Sequence, residues 1–243
     1  MVIEAFIQAR MGSTRLPGKV LKQVKGRPLL DYLVERVAQA KEIAKIVILT
    51  TTKVSDDPIA HFCQERKLSC FRGSEEDVLD RYYQAAVFRK PDGIVRITAD
   101  CPIIDPEVID QVVQVFREGS PPFDYVSNGL ERTFPRGLDV EVFTCQALEK
   151  AYLEAKLPEE REHVTPYFYR HPEIFHIGKV ALFPSQAQHR WTVDTPEDFA
   201  LIRLIIEHLY SQNSRFRLKD MLELISLHPD WSKLNSHIEQ KKL

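Results

Sequence analysis

Three cations, Arg10, Arg15 and Lys19, fall within ten residues near the start of the chain, interleaved with Gly12, Ser13, Thr14, Pro17 and Gly18. Small residues let backbone N–H groups come close to an anion, and the cations neutralise it. Polyphosphate is the anion that calls for that much positive charge in so short a loop. Gly12 through Gly18-Lys19 looks like a P-loop, but five residues separate the glycines and Val20 stands where a P-loop needs Ser or Thr. The absence of a G-x-G-x-x-G run argues against a dinucleotide-binding dehydrogenase.

Polyphosphate chemistry usually enlists a divalent ion, and magnesium takes one or two carboxylates plus waters and substrate oxygens. Two aspartates suit that role. Asp100 follows the apolar run Gly93–Thr98 and precedes Pro102, so it sits where a buried strand ends, which is where open α/β sheets collect ligands. Asp194 precedes Thr195-Pro196-Glu197-Asp198, in which Thr195 suits an N-cap, Pro196 the first helical position and Asp198 the third. Asp194 lies one residue outside that device, so capping does not explain it. Asp57 and Asp105, each directly before a proline, are explained by capping.

Ala9-Arg10-x-x-Ser13-x-Arg15-Leu16-Pro17-x-Lys19 resembles the signature loop of sugar nucleotidyltransferases. It is most similar to cytidylyltransferases that activate 3-deoxy-octulosonate and neuraminate-type acid sugars, above all the SpsF-like spore coat polysaccharide branch. The resemblance spans Val2 to about Tyr210. It implies that Ala9, Arg10, Gly12, Ser13, Arg15 and Lys19 cradle the triphosphate of CTP. Asp100 matches the Asp of a Gly-Asp-x-Pro element, with Ala99 in place of the glycine, and Asp194 the first Asp of Asp-Thr-Pro-Glu-Asp. Both are thereby implied as Mg2+ ligands. Arg10, Lys19 and Asp100 are the expected catalytic groups. No side chain stands out as general base, and Asp100 or a metal-held water is the economical choice.

Further positions follow with less spacing information. Arg136, Asp139 and Glu141 lie in the alternating run Pro135–Val142, in which Asp139 and Glu141 share one face. Solvent exposure explains that pattern as well as substrate binding does. In related enzymes this region lines the acceptor-sugar pocket, where Arg136 would meet a carboxylate. His163, in Glu162–Pro166, is a second acceptor-side candidate. Thr51, Arg72 and Arg81 are placed beside the base or ribose by position alone.

The elements that must position these residues read as strands alternating with helices through the first half. That pattern predicts a doubly wound, mainly parallel α/β sheet, Rossmann-like by resemblance and of the nucleotide-diphospho-sugar transferase type. Strands are expected at Val2–Phe6, Lys45–Thr51, Ser69–Phe71, Gly93–Thr98, Asp124–Ser127, Leu138–Phe143, Ile174–Phe183 and Trp191–Val193. A helix is expected to open at Arg27-Pro28. The strand-rich stretch 124–193 is expected to form a smaller inserted substrate lobe. Residues 1–210 then make the catalytic domain and 211–243 a helical tail.

At 243 residues with a formal net charge of −2, the chain carries no global field that would draw nucleic acid or an acidic membrane surface. No apolar run approaches the roughly twenty residues of a membrane span, and no signal-peptide pattern opens the sequence. Cys63, Cys70, Cys101 and Cys145 show neither C-x-x-C nor zinc spacing, as in a reduced, cytoplasmic protein. CTP and a sugar acceptor are the expected partners, and the resemblance implies a homodimer. The rival readings are a nucleotidyltransferase using another NTP, a nucleotide-sugar glycosyltransferase with Asp139-x-Glu141 as an approximate D-x-D motif, and a non-catalytic nucleotide-binding regulator.

Overall fold

The computed structural model describes residues 1–239. A seven-stranded sheet runs in the order β5 (Ser69–Gly73), β4 (Lys45–Thr51), β1 (Ile3–Gln8), β6 (Gly93–Thr98), β8 (Glu141–Thr144), β7 (Tyr125–Ser127), β9 (Ile177–Lys179). The first four are mutually parallel, β8 is antiparallel to both of its neighbours, and β9 is parallel to β7. The mainly parallel, doubly wound sheet expected from the alternation is therefore present. A two-stranded hairpin, β2 (Gln23–Val24) and β3 (Arg27–Pro28), precedes the first helix.

β1 is buried on both faces, and its pleat divides its side chains between two cores. Ile3, Ala5 and Ile7 join one cluster, with α1 (Leu29–Val37), α2 (Asp57–Glu65), α4 (Pro106–Glu118), α8 (Pro196–Gln212) and α9 (Leu218–Leu227). Phe6 joins the other, with α3 (Val78–Arg89), α5 (Cys145–Glu154) and α7 (Pro166–Arg170). Glu4, on the Phe6 face, is neutralised by a two-pronged contact from Arg89 on α3 at 2.9 Å. α6 (Pro158–His163) and α10 (Pro229–Ser232) complete the helices used below.

Several expected boundaries move. Pro28 ends β3 and caps α1 rather than entering its first turn, so the expected helix starts at Leu29. The run expected as a strand from Ile174 to Phe183 pairs only over Ile177–Lys179, because the N–H groups of Ile174 and Phe175 turn back to the His171 carbonyl. β7, β8 and β9 extend the main sheet instead of building a sheet of their own. Met221, Leu224 and Ile225 of α9 are buried in the same core as β1, so residues beyond 210 pack with the body of the fold.

Trp191–Val193 forms no ladder, although it was expected to pair. It is instead an extended strap held at both ends. Arg136 N donates to His189 O at 3.0 Å, Trp191 N to Arg136 O at 2.7 Å, and Val193 N to Asp100 O at 2.8 Å. The Thr192 hydroxyl also donates to Asp100 O at 3.2 Å. This strap delivers Asp194 to the end of β6. Among the described residues, no helix is long and apolar enough to cross a membrane.

Gly137 holds the strap's other margin at φ +98°, and a Cβ there would stand 2.5 Å from the Trp191 carbonyl carbon and oxygen. Backbone cannot yield as a flexible side chain does. Gly137→Ala is expected to cost about 3 kcal/mol of folding stability, read as a lowered denaturant midpoint with an unchanged m-value.

Candidate active site

The basic loop leaves β1 and folds on itself. Ser13 N and Gly18 N both donate to Met11 O, at 2.9 and 3.0 Å, and Ser13 Oγ accepts from Leu16 N at 3.3 Å. Gly18 adopts φ +67° and starts a single 3₁₀ turn, Lys19–Leu21, which turns Lys19 inward. The loop is pinned to the sheet by Ala9 N, which donates to Leu49 O at 2.9 Å, and by Met11 N, which donates to Asp56 Oδ1 at 2.7 Å.

At its far end the loop meets both aspartates. Lys19 Nζ donates to Asp100 Oδ2 at 2.9 Å and to Asp194 Oδ1 at 2.8 Å. Arg15 reaches Asp194 Oδ2 at 3.2 Å, and Arg190 donates to the same oxygen at 2.8 Å. Lys19 and the two aspartates that share its ammonium are mostly shielded from solvent. Burial opposes the Lys19 charge, yet Asp100 and Asp194 outweigh it and raise its pKa above the ordinary value. Burial likewise opposes the Asp100 charge, and Lys19, Thr98 and Cys101 overcome it and lower that pKa. Both groups therefore stay ionised across the neutral range.

Asp194 is held from beneath. Asp198, fully buried, caps α8 through Thr195 and accepts from Asp194 N at 3.0 Å, and it takes Arg190 Nε at 2.9 Å. The capping box expected from the sequence is present, and the Asp194 carboxylate stands outside it. Two carboxylates from separate segments converging on one cation match the donor set of a magnesium site, which draws its other ligands from water and substrate phosphates. No group of three or more His, Cys, Asp or Glu clusters to form a fuller cage among the described residues.

The loop's near end faces a different set. Arg10 is exposed and makes no ion pair or hydrogen bond among the described residues. Arg81 is buried, and burial, with Arg10 nearby, lowers its pKa. Its NH1 donates to Ser74 O at 2.8 Å while its Nε has no partner. Gly12 lies beside Glu75, which pairs with Lys53. Arg72 does not turn toward this space: it donates to Thr51 O and Lys53 O, at 2.8 and 2.9 Å, and pairs with Asp57 at 2.7 Å. The Thr51 hydroxyl is spent on Asp56.

The acceptor-side candidates do not form one cluster. Arg136 flanks the strap, where burial and then Arg132 lower its pKa. Asp139 pairs with Arg132 and accepts from Gly137 N at 3.2 Å. Glu141 pairs with Arg96 and accepts from the Tyr125 and Thr165 hydroxyls, each at 2.6 Å. The face it was expected to share with Asp139 thus leads to different partners, because regular pairing of β8 begins only at Glu141. His163 ends α6 beside Val164, which adopts φ +70° and ψ −52°. That conformation is costly for a buried β-branched residue and marks a backbone fixed by its surroundings.

Four supporting residues escape the sequence patterns: Asp56, Arg96, Arg190 and Asn235. Asp56, Arg96 and Asn235 act on residues far along the chain, whereas Arg190, four residues before Asp194, carried a local hint of its partner.

A family model described as Cytidylyltransferase matches residues 5–224. An uncharacterized protein of Methanocaldococcus jannaschii is 39% identical over 99% of this chain and 97% of its own. Spore coat polysaccharide biosynthesis protein SpsF of Bacillus subtilis is 34% identical over 93% of this chain and 94% of its own. The solved structure of a cytidylyltransferase from Leptospira borgpetersenii serovar Hardjo-bovis superposes with a TM-score of 0.91 at 34% identity, each chain covered in full.

Glu141 is the counter-charge of a largely shielded arginine, so its neutral isostere leaves Arg96 without an anion. Glu141→Gln is expected to cost about 3 kcal/mol, measured by chemical denaturation, with Tyr125→Phe costing about 1 kcal/mol.

Proposed function

The chain belongs to the cytidylyltransferase family, and from that premise we propose that it transfers CMP from CTP to an acidic sugar with release of pyrophosphate. The observation that carries this reading is the Lys19 ammonium bonded to both Asp100 and Asp194. Three segments that pack together through Leu16, Val20, Ala99, Trp191 and Val193 also bring one ammonium and two carboxylates to a single cation-binding point. The basic loop then runs from that point to Arg10, Gly12 and Arg81, a path along which a nucleotide triphosphate fits its charge.

In the reaction, the acceptor hydroxyl oxygen bonds to the α-phosphorus as the bond from that phosphorus to the bridging oxygen breaks. The electron pair leaves with pyrophosphate and the hydroxyl proton goes to solvent or a nearby base. Arg10, Arg15 and Lys19 hold the phosphates and stabilise the charge gathering on the leaving group. Asp100 and Asp194 would hold a magnesium ion, which when bound supplies further neutralisation of phosphate charge. With its pKa held low by Lys19, Asp100 suits a ligand better than a proton acceptor. Catalysis of this kind is chiefly positioning plus electrostatics.

The likeness to the spore coat polysaccharide biosynthesis protein SpsF supports a role in making a surface or spore coat polysaccharide; the cytoplasm and a homodimer are proposed with it. The glycosyltransferase reading loses ground because Asp139 and Glu141 lead to different partners, Arg132 and Arg96, and do not converge on one cation as Asp100 and Asp194 do.

Pyrophosphate release is to be measured with each of the four NTPs, magnesium and a panel of acid sugars. Turnover with CTP and an acid sugar is the expected result; release of a nucleoside diphosphate from a sugar donor would overturn it. Lys19→Met is expected to lower kcat/KM by about 10²–10³-fold, and Asp194→Asn to raise the magnesium concentration needed for half-maximal rate.

A further inference from the structure

Asn235 follows α10, beyond residue 224 where the family match ends. It is a polar side chain only 3% exposed. Its Nδ2 donates to Arg190 O at 2.8 Å and to Asp198 Oδ1 at 2.8 Å. An amide nitrogen has two hydrogens to give, and both go to the two residues that hold Asp194. Asp198 accepts from the Asp194 backbone and from Arg190, and Arg190 in turn reaches the Asp194 carboxylate. A tail that needed only to be fastened would bury apolar side chains against α8 and α9. This one also spends a buried amide on the charged pair beneath Asp194.

We propose that Asn235 is a positioning residue: through Asp198 and Arg190 it fixes the orientation of Asp194 toward a divalent ion on CTP. The proposal rests on the metal role assigned to Asp194 above. The amide supplies one of the donors that keep the buried Asp198 carboxylate in place, so its loss lets Asp198 and Arg190 re-pair and turns Asp194 away from Asp100. Groups that orient a metal ligand from behind commonly govern metal affinity without touching the metal.

The test is titration calorimetry of Mn2+ into protein saturated with CTP, with no acceptor present, alongside CTP binding in EDTA. Asn235→Ala is expected to weaken Mn2+ binding about tenfold and to leave CTP binding in EDTA unchanged. In an Asp194→Asn background the same substitution is expected to change Mn2+ affinity less than about twofold, since its route is already cut. Equal Mn2+ affinity in Asn235→Ala and the unaltered chain overturns the proposal, as does an effect that adds in full to that of Asp194→Asn. If Asp194→Asn alone leaves Mn2+ affinity intact, it is the metal reading of Asp194 that fails. Should Asn235→Ala not fold, Asn235→Ser, which keeps one hydroxyl donor, carries the same comparison, with an intermediate loss expected.

Discussion

One ammonium shared by two carboxylates organises this molecule. Bringing Asp100 and Asp194 close to each other in a shielded place is unfavourable without a cation between them. Lys19 supplies it, at 2.9 and 2.8 Å. The rest of the architecture serves that contact. The 3₁₀ turn after Gly18 aims Lys19, the end of β6 presents Asp100, and the strap over Arg136 and Asp100 carries Asp194 into range. Arg15 and Arg190 share the second carboxylate, and Asp198 balances Arg190, so three cations meet three carboxylates there.

The same arrangement explains why fold and chemistry are separable here. The sheet is maintained by β1, buried on both faces, and by two apolar cores. The polar contacts lie past the strand ends, where loops are free to carry charge. Farther along the sheet, Arg96, Glu141, Tyr125 and Thr165 form a second polar knot, and Val164 pays in backbone strain to set Thr165 within it. This knot ties β6, β8, β7 and the segment after α6 together through side chains, where the ladders are short.

Much of this was legible in the residue order, for identifiable reasons. Lys45–Thr51 and Gly93–Thr98 are rich in Ile, Val and Thr, and their strands occupy those residues. The helix after Asp105 announces itself with a capping residue and a proline, and Thr195-Pro196-x-Asp198 does the same for α8. The meeting of Lys19 with Asp100 and Asp194 followed from chemical need, since local pattern does not link them. Trp191–Val193 failed as a strand because extended, apolar residues bond equally well to a loop as to a ladder. Glu141 could not be separated from Asp139 by alternation, since the register that separates them is set by β6. Asn235 left no trace at all, because one amide in a polar tail has no spacing to betray it.

The partners of Lys19 lie 81 and 175 positions further along the polypeptide. During synthesis, the early loop therefore emerges from the ribosome with its cations uncompensated and waits for most of the chain. Contacts of such sequence separation form late and slowly. The cluster is thus complete only once Asp194 has been made, and a product truncated before it leaves Lys19 and Arg15 without that carboxylate, however much of the sheet it builds.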